Sequence, residues 1–154
     1  MARRYWLFKS EPGAYSYDDL VEDGVAEWDG VRNYQARNML RDDIKEGDGV
    51  LFYHSSSKPL AVVGAATVVR GGYPDFTAWD PKSEHPDPKS TPENPIWYMV
   101  DIKADQRFVR HVTLEMMKTV PELKDMMLLR RGMRLSIQTV TPKEWETVVE
   151  MGTP

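Results

Sequence analysis

The chain has 154 residues, of which 41% are hydrophobic and 29% charged, a size and mixture typical of one globular domain. It contains no cysteine, which excludes disulfides, thiol catalysis and cysteine-bound zinc. The net charge of −4 argues against coating of nucleic-acid phosphates through overall charge, although it permits a local basic patch. No apolar run approaches the roughly 20 residues of a membrane span, and none near the N-terminus suits a signal peptide. We therefore expect residues 1–154 to form a single cytoplasmic domain without membrane contact.

Apolar periodicity in the first half of the chain predicts strands interrupted by two helices. The predicted elements are a strand at residues 5–10, a helix from its cap at Ser16 through Val21, a helix at residues 33–43, and strands at residues 50–54 and 60–70. The last of these strands is rich in valine and apolar on both faces. That pattern indicates a central, buried position in a sheet.

The second half of the chain contains a segment of different composition, residues 71–95, which carries six prolines. Such a segment predicts a long surface loop, and its aromatic residues argue against disorder. The other predicted elements are a strand at residues 97–103, a short helix between Thr113 and Pro121, a strand at residues 134–140, and a last helix that begins at the capping box of Thr141 and Glu144. Five to six strands and four short helices in irregular order predict an α+β fold with a bent mixed sheet or small barrel.

Lys9 and Ser10 end the first predicted strand and precede Glu11 and Pro12. Segments that follow rigid strands often carry binding groups, so Lys9 and Ser10 are candidates for the lip of a pocket. The alternative is a solvated turn after an edge strand, which is the commoner situation for such residue types.

Trp28 lies in a short connection between two predicted helices, directly before Asp29 and Gly30. A tryptophan there either fills the core, while Gly30 makes the turn, or stands on the wall of a cavity. The core position is the commoner one. On a cavity wall its π face can stack on a nucleobase, which contributes about 1–3 kcal/mol per base.

His54 ends the strand at residues 50–54 and precedes three serines. It could act as a general base near neutral pH, although a histidine satisfied by a neighbouring carbonyl is commoner. A triad of Ser10, His54 and Asp75 lacks the G-x-S-x-G turn that presents a nucleophilic serine. The histidines and carboxylates lack metal-ligand spacing, and no glycine-rich phosphate loop occurs. We therefore expect neither a metal nor a cofactor.

The proline-rich segment contains three aromatic residues, Tyr73, Phe76 and Trp79. A loop of this kind either packs its own side chains together or acts as a lid that brings a second aromatic wall opposite Trp28. Two aromatic faces on either side of a planar ring are a common way to hold an unstacked base.

Several segments together resemble the EVE domain family. They are YWLFKSEP at residues 5–12, WDGVRNYQARN at residues 28–38, GD at residues 47–48 with LFYHS at residues 51–55, YPD at residues 73–75 and RLS at residues 134–136. These segments span nearly the whole chain in order. The resemblance implies a PUA-like fold, a bent β-barrel flanked by short helices, in agreement with the predicted elements.

The EVE family is similar to YTH readers of methylated adenine in RNA and to ASCH domains. This similarity implies that Trp28 forms one wall of an aromatic cage, with Lys9 and Ser10 at its mouth. Trp79 or Tyr73 is the candidate for the opposing wall. The residues expected to bind the ligand are Lys9, Ser10, Trp28, Val31, Arg32, Asn33, Tyr53, His54, Ser55, Tyr73, Trp79, Arg134 and Ser136.

The expected function is non-catalytic binding of a nucleobase, in particular a modified base in DNA or RNA, by a chain for which we expect a monomer. Arg37, Lys58 and Arg130 are expected to touch flanking phosphates, which fixes register without reading sequence. Two alternatives stay open. An ASCH-like amidohydrolase acting on a modified nucleoside would use Lys9 and Glu11 as base and acid, given a depressed pKa of Lys9. A protein-interaction module would dock a partner on the aromatic loop.

Overall fold

Six strands form one mixed sheet in the computed structural model, which describes residues 3–154. The strands are β1 (Tyr5–Ser10), β2 (Val25–Glu27), β3 (Gly49–His54), β4 (Ala61–Pro74), β5 (Tyr98–Thr113) and β6 (Ile137–Val140). Their order across the sheet is β2-β5-β4-β3-β1-β6. β1 and β3 are parallel, and the other neighbours are antiparallel. Met1 and Ala2, at the start of the N-terminal segment considered above, lie outside the described residues.

Short helices connect and cover the strands. They are α1 (Tyr17–Asp23), α2 (Tyr34–Asn38), α3 (Leu114–Lys118) and α4 (Pro142–Gly152), with a π-helical turn at Met39–Asp43 and 3-10 turns at Phe76–Trp79, Pro121–Leu123 and Met127–Leu129. The predicted caps at Ser16 and Thr141 are both present, and each forms a capping box that satisfies backbone N–H groups at the helix start. Within residues 3–154, no helix is long and apolar enough to cross a membrane.

The two faces of the sheet bury two separate groups of apolar side chains. Successive side chains of a strand point to opposite faces, so Phe8 of β1 packs in one group with Leu20 of α1. Its neighbour Leu7 packs in the other group with Val148 of α4. We call the face that carries Phe8 the first face. Trp28 packs against this face from the connection between β2 and α2.

β4 and β5 are the longest strands and their pairing is irregular. They have 14 and 16 residues, and their register shifts at several places between Val62 and Tyr73. Such shifts are of the β-bulge type, which bends strands and increases their twist. Shifts of this kind accommodate the bend that the sequence predicts for the sheet.

The predicted α+β class, with six strands and short flanking helices, is confirmed. The central, buried position predicted for β4 is also confirmed, but β4 continues to Pro74 instead of ending at residue 70. β5 runs to Thr113 and not to residue 103, and β6 begins at Ile137 and not at residue 134. The sequence does not predict β2, because three residues are too few to show a period.

Candidate functional site

An open cleft of about 790 Å³ lies beside Trp28, where β1 ends and β2 leads into α2. Its walls come from residues 9–15 with the end of β1, from the connection that carries Trp28, and from Ser136 before β6. Glu84 of the loop between β4 and β5 adds to the rim. The volume falls within the roughly 300–1,000 Å³ range of small-molecule sites.

An aromatic cluster holds Trp28 on the wall of the cleft. The centroid of its ring lies 5.4 Å from that of Phe8 and 5.6 Å from that of Phe52. Its backbone N–H donates to the carbonyl of Val100 at 2.8 Å, which continues the pairing of β2 with β5. The side chain is half-buried and lines the cleft. Part of the indole is therefore available to a ligand.

Tyr15 supplies a second aromatic ring to the cleft. It meets Trp28 nearly edge-on, with ring centroids 6.1 Å apart and an interplanar angle of 79°. Its hydroxyl donates to Asp23 at 2.8 Å, and its carbonyl accepts from the Ser10 hydroxyl. The two rings thus form a corner and not a sandwich. The sequence does not single out Tyr15, because it lies outside the aromatic segment.

The connection from Trp28 to Arg32 is held by the buried carboxylate of Asp75. Asp75 Oδ2 accepts from the Gly30 N–H and from Arg32 Nη1, each at 2.9 Å, while Oδ1 accepts from the Thr77 N–H. Burial raises the pKa of Asp75, but hydrogen bonds from Thr77, Gly30 and Arg32 outweigh this effect and lower the pKa below its usual value. Asp75 is therefore ionised at neutral pH and acts as a positioning residue.

His85 reaches from the loop between β4 and β5 to the same connection. Its carbonyl accepts from Arg32 Nη2 at 2.7 Å, and its ring lies against Gly30. Gly30 has φ +76°, and a Cβ there would lie 2.8 Å from the His85 ring. The loop that the sequence predicts as an aromatic lid therefore acts through Asp75 and His85, which fix the backbone beside Trp28.

The cleft carries more acidic than basic side chains. Its charged lining residues are Glu11, Asp23, Glu27, Asp29 and Glu84 against Lys9 and Arg32. Arg32 is already paired with Asp75. Burial lowers the pKa of Lys9 and raises the pKa of Asp29, so both charges are incompletely hydrated. A phosphate group meets an unfavourable field here, whereas a neutral planar ring does not.

Seven of the predicted ligand-binding residues line the cleft: Lys9, Ser10, Trp28, Val31, Arg32, Asn33 and Ser136. Two of their polar groups also support the fold. The Ser10 hydroxyl donates to Tyr15, and Asn33 Oδ1 caps α2 by accepting from the Ala36 N–H at 2.9 Å.

Three predicted residues at the end of β3 have other surroundings. Tyr53 is 3% exposed and packs with the apolar group on the opposite face, because strand alternation sends Phe52 to the first face. His54 Nε2 accepts from the Tyr17 N–H at 3.1 Å, and burial lowers the pKa of His54. Ser55 donates its N–H to the Ser10 carbonyl, so it joins the β3–β4 turn to the rim without lining the cleft.

Tyr73, Trp79 and Arg134 are likewise not among the residues that line the cleft. Tyr73 is fixed near the end of β4, where its hydroxyl donates to Asp101 and the guanidinium of Arg70 lies 3.5 Å from its ring centroid. Trp79 ends a 3-10 turn, and Arg134 is exposed before β6. Among the described residues, the aromatic ring that lines the cleft together with Trp28 is that of Tyr15 and not that of Tyr73 or Trp79.

The three residues expected to touch phosphates also lie outside this cleft. Arg37 Nη1 donates to the Ile96 carbonyl at 2.7 Å. Lys58 lines a second cleft, of about 660 Å³, at the turn between β3 and β4. Arg130 is exposed after the last 3-10 turn.

The side chains considered for a catalytic triad have separate partners. Ser10 donates to a backbone carbonyl, His54 accepts from the Tyr17 N–H, and Asp75 binds Arg32. Among the residues that the structure describes, no three His, Cys, Asp or Glu side chains are grouped so as to hold a metal ion. The arrangement provides an aromatic wall with polar groups around it.

The sequence model of the EVE domain family matches residues 4–151 of this chain. This range includes every residue that lines the cleft. The chain therefore belongs to the EVE domain family. The resemblance carried by the sequence segments is confirmed.

Relatives cover nearly the whole chain. Thymocyte nuclear protein 1 of Mus musculus is 38% identical, over 96% of this chain and 73% of its own length. A protein of Leishmania major has 46% identity and a TM-score of 0.91, covering 98% of this chain and 95% of its own. The human THYN1 protein, solved in complex with DNA containing 5-methylcytosine, has 37% identity and a TM-score of 0.88, with 98% of each chain covered.

A more distant structural neighbour shares only the fold. The ZmASCH protein of Zymomonas mobilis has a TM-score of 0.55 and 10% identity. Together with the EVE structures it confirms the PUA-like α+β fold, but it lends no support to ASCH-like chemistry. The name thymocyte nuclear protein, borne by the mouse relative, gives no support to the expected cytoplasmic location.

Proposed function

We propose that the protein binds a modified nucleobase of a nucleic acid in the cleft beside Trp28 and leaves the base chemically unchanged. The observation that carries the proposal is the half-buried indole on the wall of an open cleft. A base lying on this ring gains about 1–3 kcal/mol from stacking. The complex of human THYN1 with DNA containing 5-methylcytosine supports a modified base in DNA as the ligand.

A base must leave its stack before it enters such a cleft. The acidic lining disfavours phosphate inside, so the base enters while its backbone stays at the mouth. Unstacking costs a few kcal/mol in a duplex and less in a single strand. One buried methyl group contributes only about 1 kcal/mol, so preference for a methylated base is several-fold unless a polar group is read as well.

The proposal is tested by titrating the full chain with single-stranded and duplex oligonucleotides, DNA and RNA, that carry one methylated base. Trp28→Ala should weaken binding by roughly tenfold or more, since stacking is lost. Trp79→Ala is the matched control, because it removes a half-buried indole that does not line the cleft. Unchanged binding by a folded Trp28→Ala protein would refute the proposal.

One observation favours a second candidate, an amidohydrolase acting on a modified nucleoside. Lys9 and Glu11 both line the cleft, and burial lowers the pKa of Lys9, as an amine that acts as a base requires. Turnover of acylated nucleosides that disappears in Lys9→Ala would establish this candidate. A parent protein that hydrolyses none of them would remove it.

A further inference from the structure

The carboxylate of Asp29 has unused acceptor oxygens in the cleft that Trp28 also lines. Asp29 follows Trp28 directly in the chain and lines the cleft, and its side chain is 39% exposed. His85 Nε2 lies 3.8 Å from Asp29 Oδ1, which is beyond hydrogen-bond range. Within residues 3–154, the Asp29 carboxylate accepts no hydrogen bond from another residue.

The negative charge of Asp29 is only partly compensated. The guanidinium of Arg32 is bound to Asp75 and to the His85 carbonyl. Burial raises the pKa of Asp29, and the neighbouring charge of Asp75 raises it further, whereas His85 and Arg32 lower it by less. A ligand group that donates an N–H to this carboxylate would therefore replace solvation that the cleft has removed.

We propose that Asp29 selects the bound base by accepting a hydrogen bond from its exocyclic amine. This inference rests on the function proposed above and names its substrate class: bases with a cytosine-type or adenine-type edge. An ionised carboxylate can only accept hydrogen bonds. Thymine or uracil would place a carbonyl oxygen against it, so two acceptors would face each other. Carboxylates accept from the cytosine amine in the same way in DNA grooves.

The other carboxylates of the cleft are less suited to this role. Asp23 already accepts from the Tyr15 hydroxyl. Glu11, Glu27 and Glu84 line the cleft as exposed residues. Asp29 combines unused acceptors with the partial burial that raises its pKa.

A comparison of 5-methylcytosine with thymine distinguishes recognition of the exocyclic amine from recognition of the methyl group. They carry the same methyl group and differ in the edge where cytosine has its amine. Burial of the methyl group contributes equally to the binding of both bases. A difference in affinity between them therefore measures the interactions of the polar edge. A well-placed pair of this kind discriminates by roughly tenfold or more.

The test uses the full chain and two single-stranded DNA oligonucleotides that differ only in one central base, 5-methylcytosine or thymine. The parent should bind the 5-methylcytosine strand roughly tenfold more tightly. Asp29→Asn should bring the ratio close to one, because an amide both donates and accepts. Asp125→Asn, which makes the same chemical change at an exposed position outside the cleft, should leave the ratio unchanged. Equal binding by the parent, or equal shifts in both variants, would overturn the inference.

Two further measurements keep this result separate from the proposed function. If Trp28→Ala binds both strands as well as the parent does, the proposed function itself fails. If both strands bind equally and depend on Trp28, the function stands and the role of Asp29 is wrong. Should Asp29→Asn fail to fold in thermal unfolding, Asp29→Glu keeps the carboxylate and should still prefer 5-methylcytosine. A preference for thymine in that variant would contradict the inference.

Discussion

Asp75 Oδ2 lies 2.9 Å from Arg32 Nη1, with the Asp75 carboxylate completely buried and the Arg32 side chain 22% exposed. The same oxygen accepts from the Gly30 N–H at 2.9 Å. This pair ties the loop between β4 and β5 to the connection that carries Trp28. The stability of the protein and the shape of the cleft therefore depend on the same contacts.

Asp75→Asn should destabilise the protein by about 3 kcal/mol, because it leaves the partly buried guanidinium of Arg32 without its counter-ion. The free energy of unfolding is measured by denaturant titration at neutral pH. Asp125→Asn is the matched control, since it makes the same chemical change at an exposed position. Similar losses in the two variants would show that the Asp75–Arg32 pair does not stabilise the fold.

The free energy of unfolding should depend on pH in part through the ionisation of Asp75. Its folded-state pKa lies below the ordinary value of 3.8, so folding favours the ionised form. This contribution is complete above the unfolded-state pKa of about 3.9, and it is lost as pH falls through the folded-state pKa. Below about pH 4, unfolding free energy should fall more steeply with acid in the parent than in Asp75→Asn. Parallel curves would contradict this assignment.

Gly30→Ala and Gly132→Ala separate backbone strain from collision with His85. The two glycines have nearly the same φ, +76° and +77°, but of the two only the Cβ of Gly30 would meet a neighbour within 4 Å. Both variants should lose about 1 kcal/mol through left-handed strain. Gly30→Ala should lose more and should also weaken oligonucleotide binding, since it displaces His85 or the Trp28 connection. Equal effects of the two substitutions on stability and binding would show that this contact is unimportant.

The sequence predicts those strands and helices that have a continuous apolar pattern. β4 is an example, because its first eight residues are almost all buried. The second half of β5 is the counter-example. There Phe108 is 3% exposed whereas Val109 is 86% exposed, and charged residues flank both. Pairing with β4 forms this half, so its own side chains carry little signal of a strand.

The candidate site was predictable where the family resemblance implies a ligand-binding role. Trp28 and Asn33 fall in one segment that carries the resemblance, and Ser136 falls in another. Asp75 also falls in such a segment, but the resemblance implies no binding role for it. It is 45 positions from Gly30, and a carboxylate in a polar loop is expected to be solvated. Its burial depends on the path of that loop in three dimensions. The role of Tyr15 could not be predicted for the same reason, because only the fold brings its ring close to that of Trp28.

Lys58 is exposed in the turn between β3 and β4. This turn is joined to the cleft where the Ser55 N–H donates to the Ser10 carbonyl at 2.9 Å. Lys118 lines the second cleft together with Lys58. We therefore predict that nucleotides flanking the bound base pass over this turn, because the acidic cleft offers phosphate no comparable contact.

Lys58→Ala should weaken binding of single-stranded oligonucleotides at low salt by a similar factor for every sequence. The slope of log K against log salt should become shallower by roughly 0.7, the contribution of one phosphate contact in a single strand. Binding of the free nucleoside, which has no phosphate, should not change. Lys143→Ala is the control, because this exposed lysine lies in the first turn of α4, which packs on the opposite face of the sheet. If the two variants give the same slope, Lys58 does not contact the backbone and the strand leaves the cleft by another route.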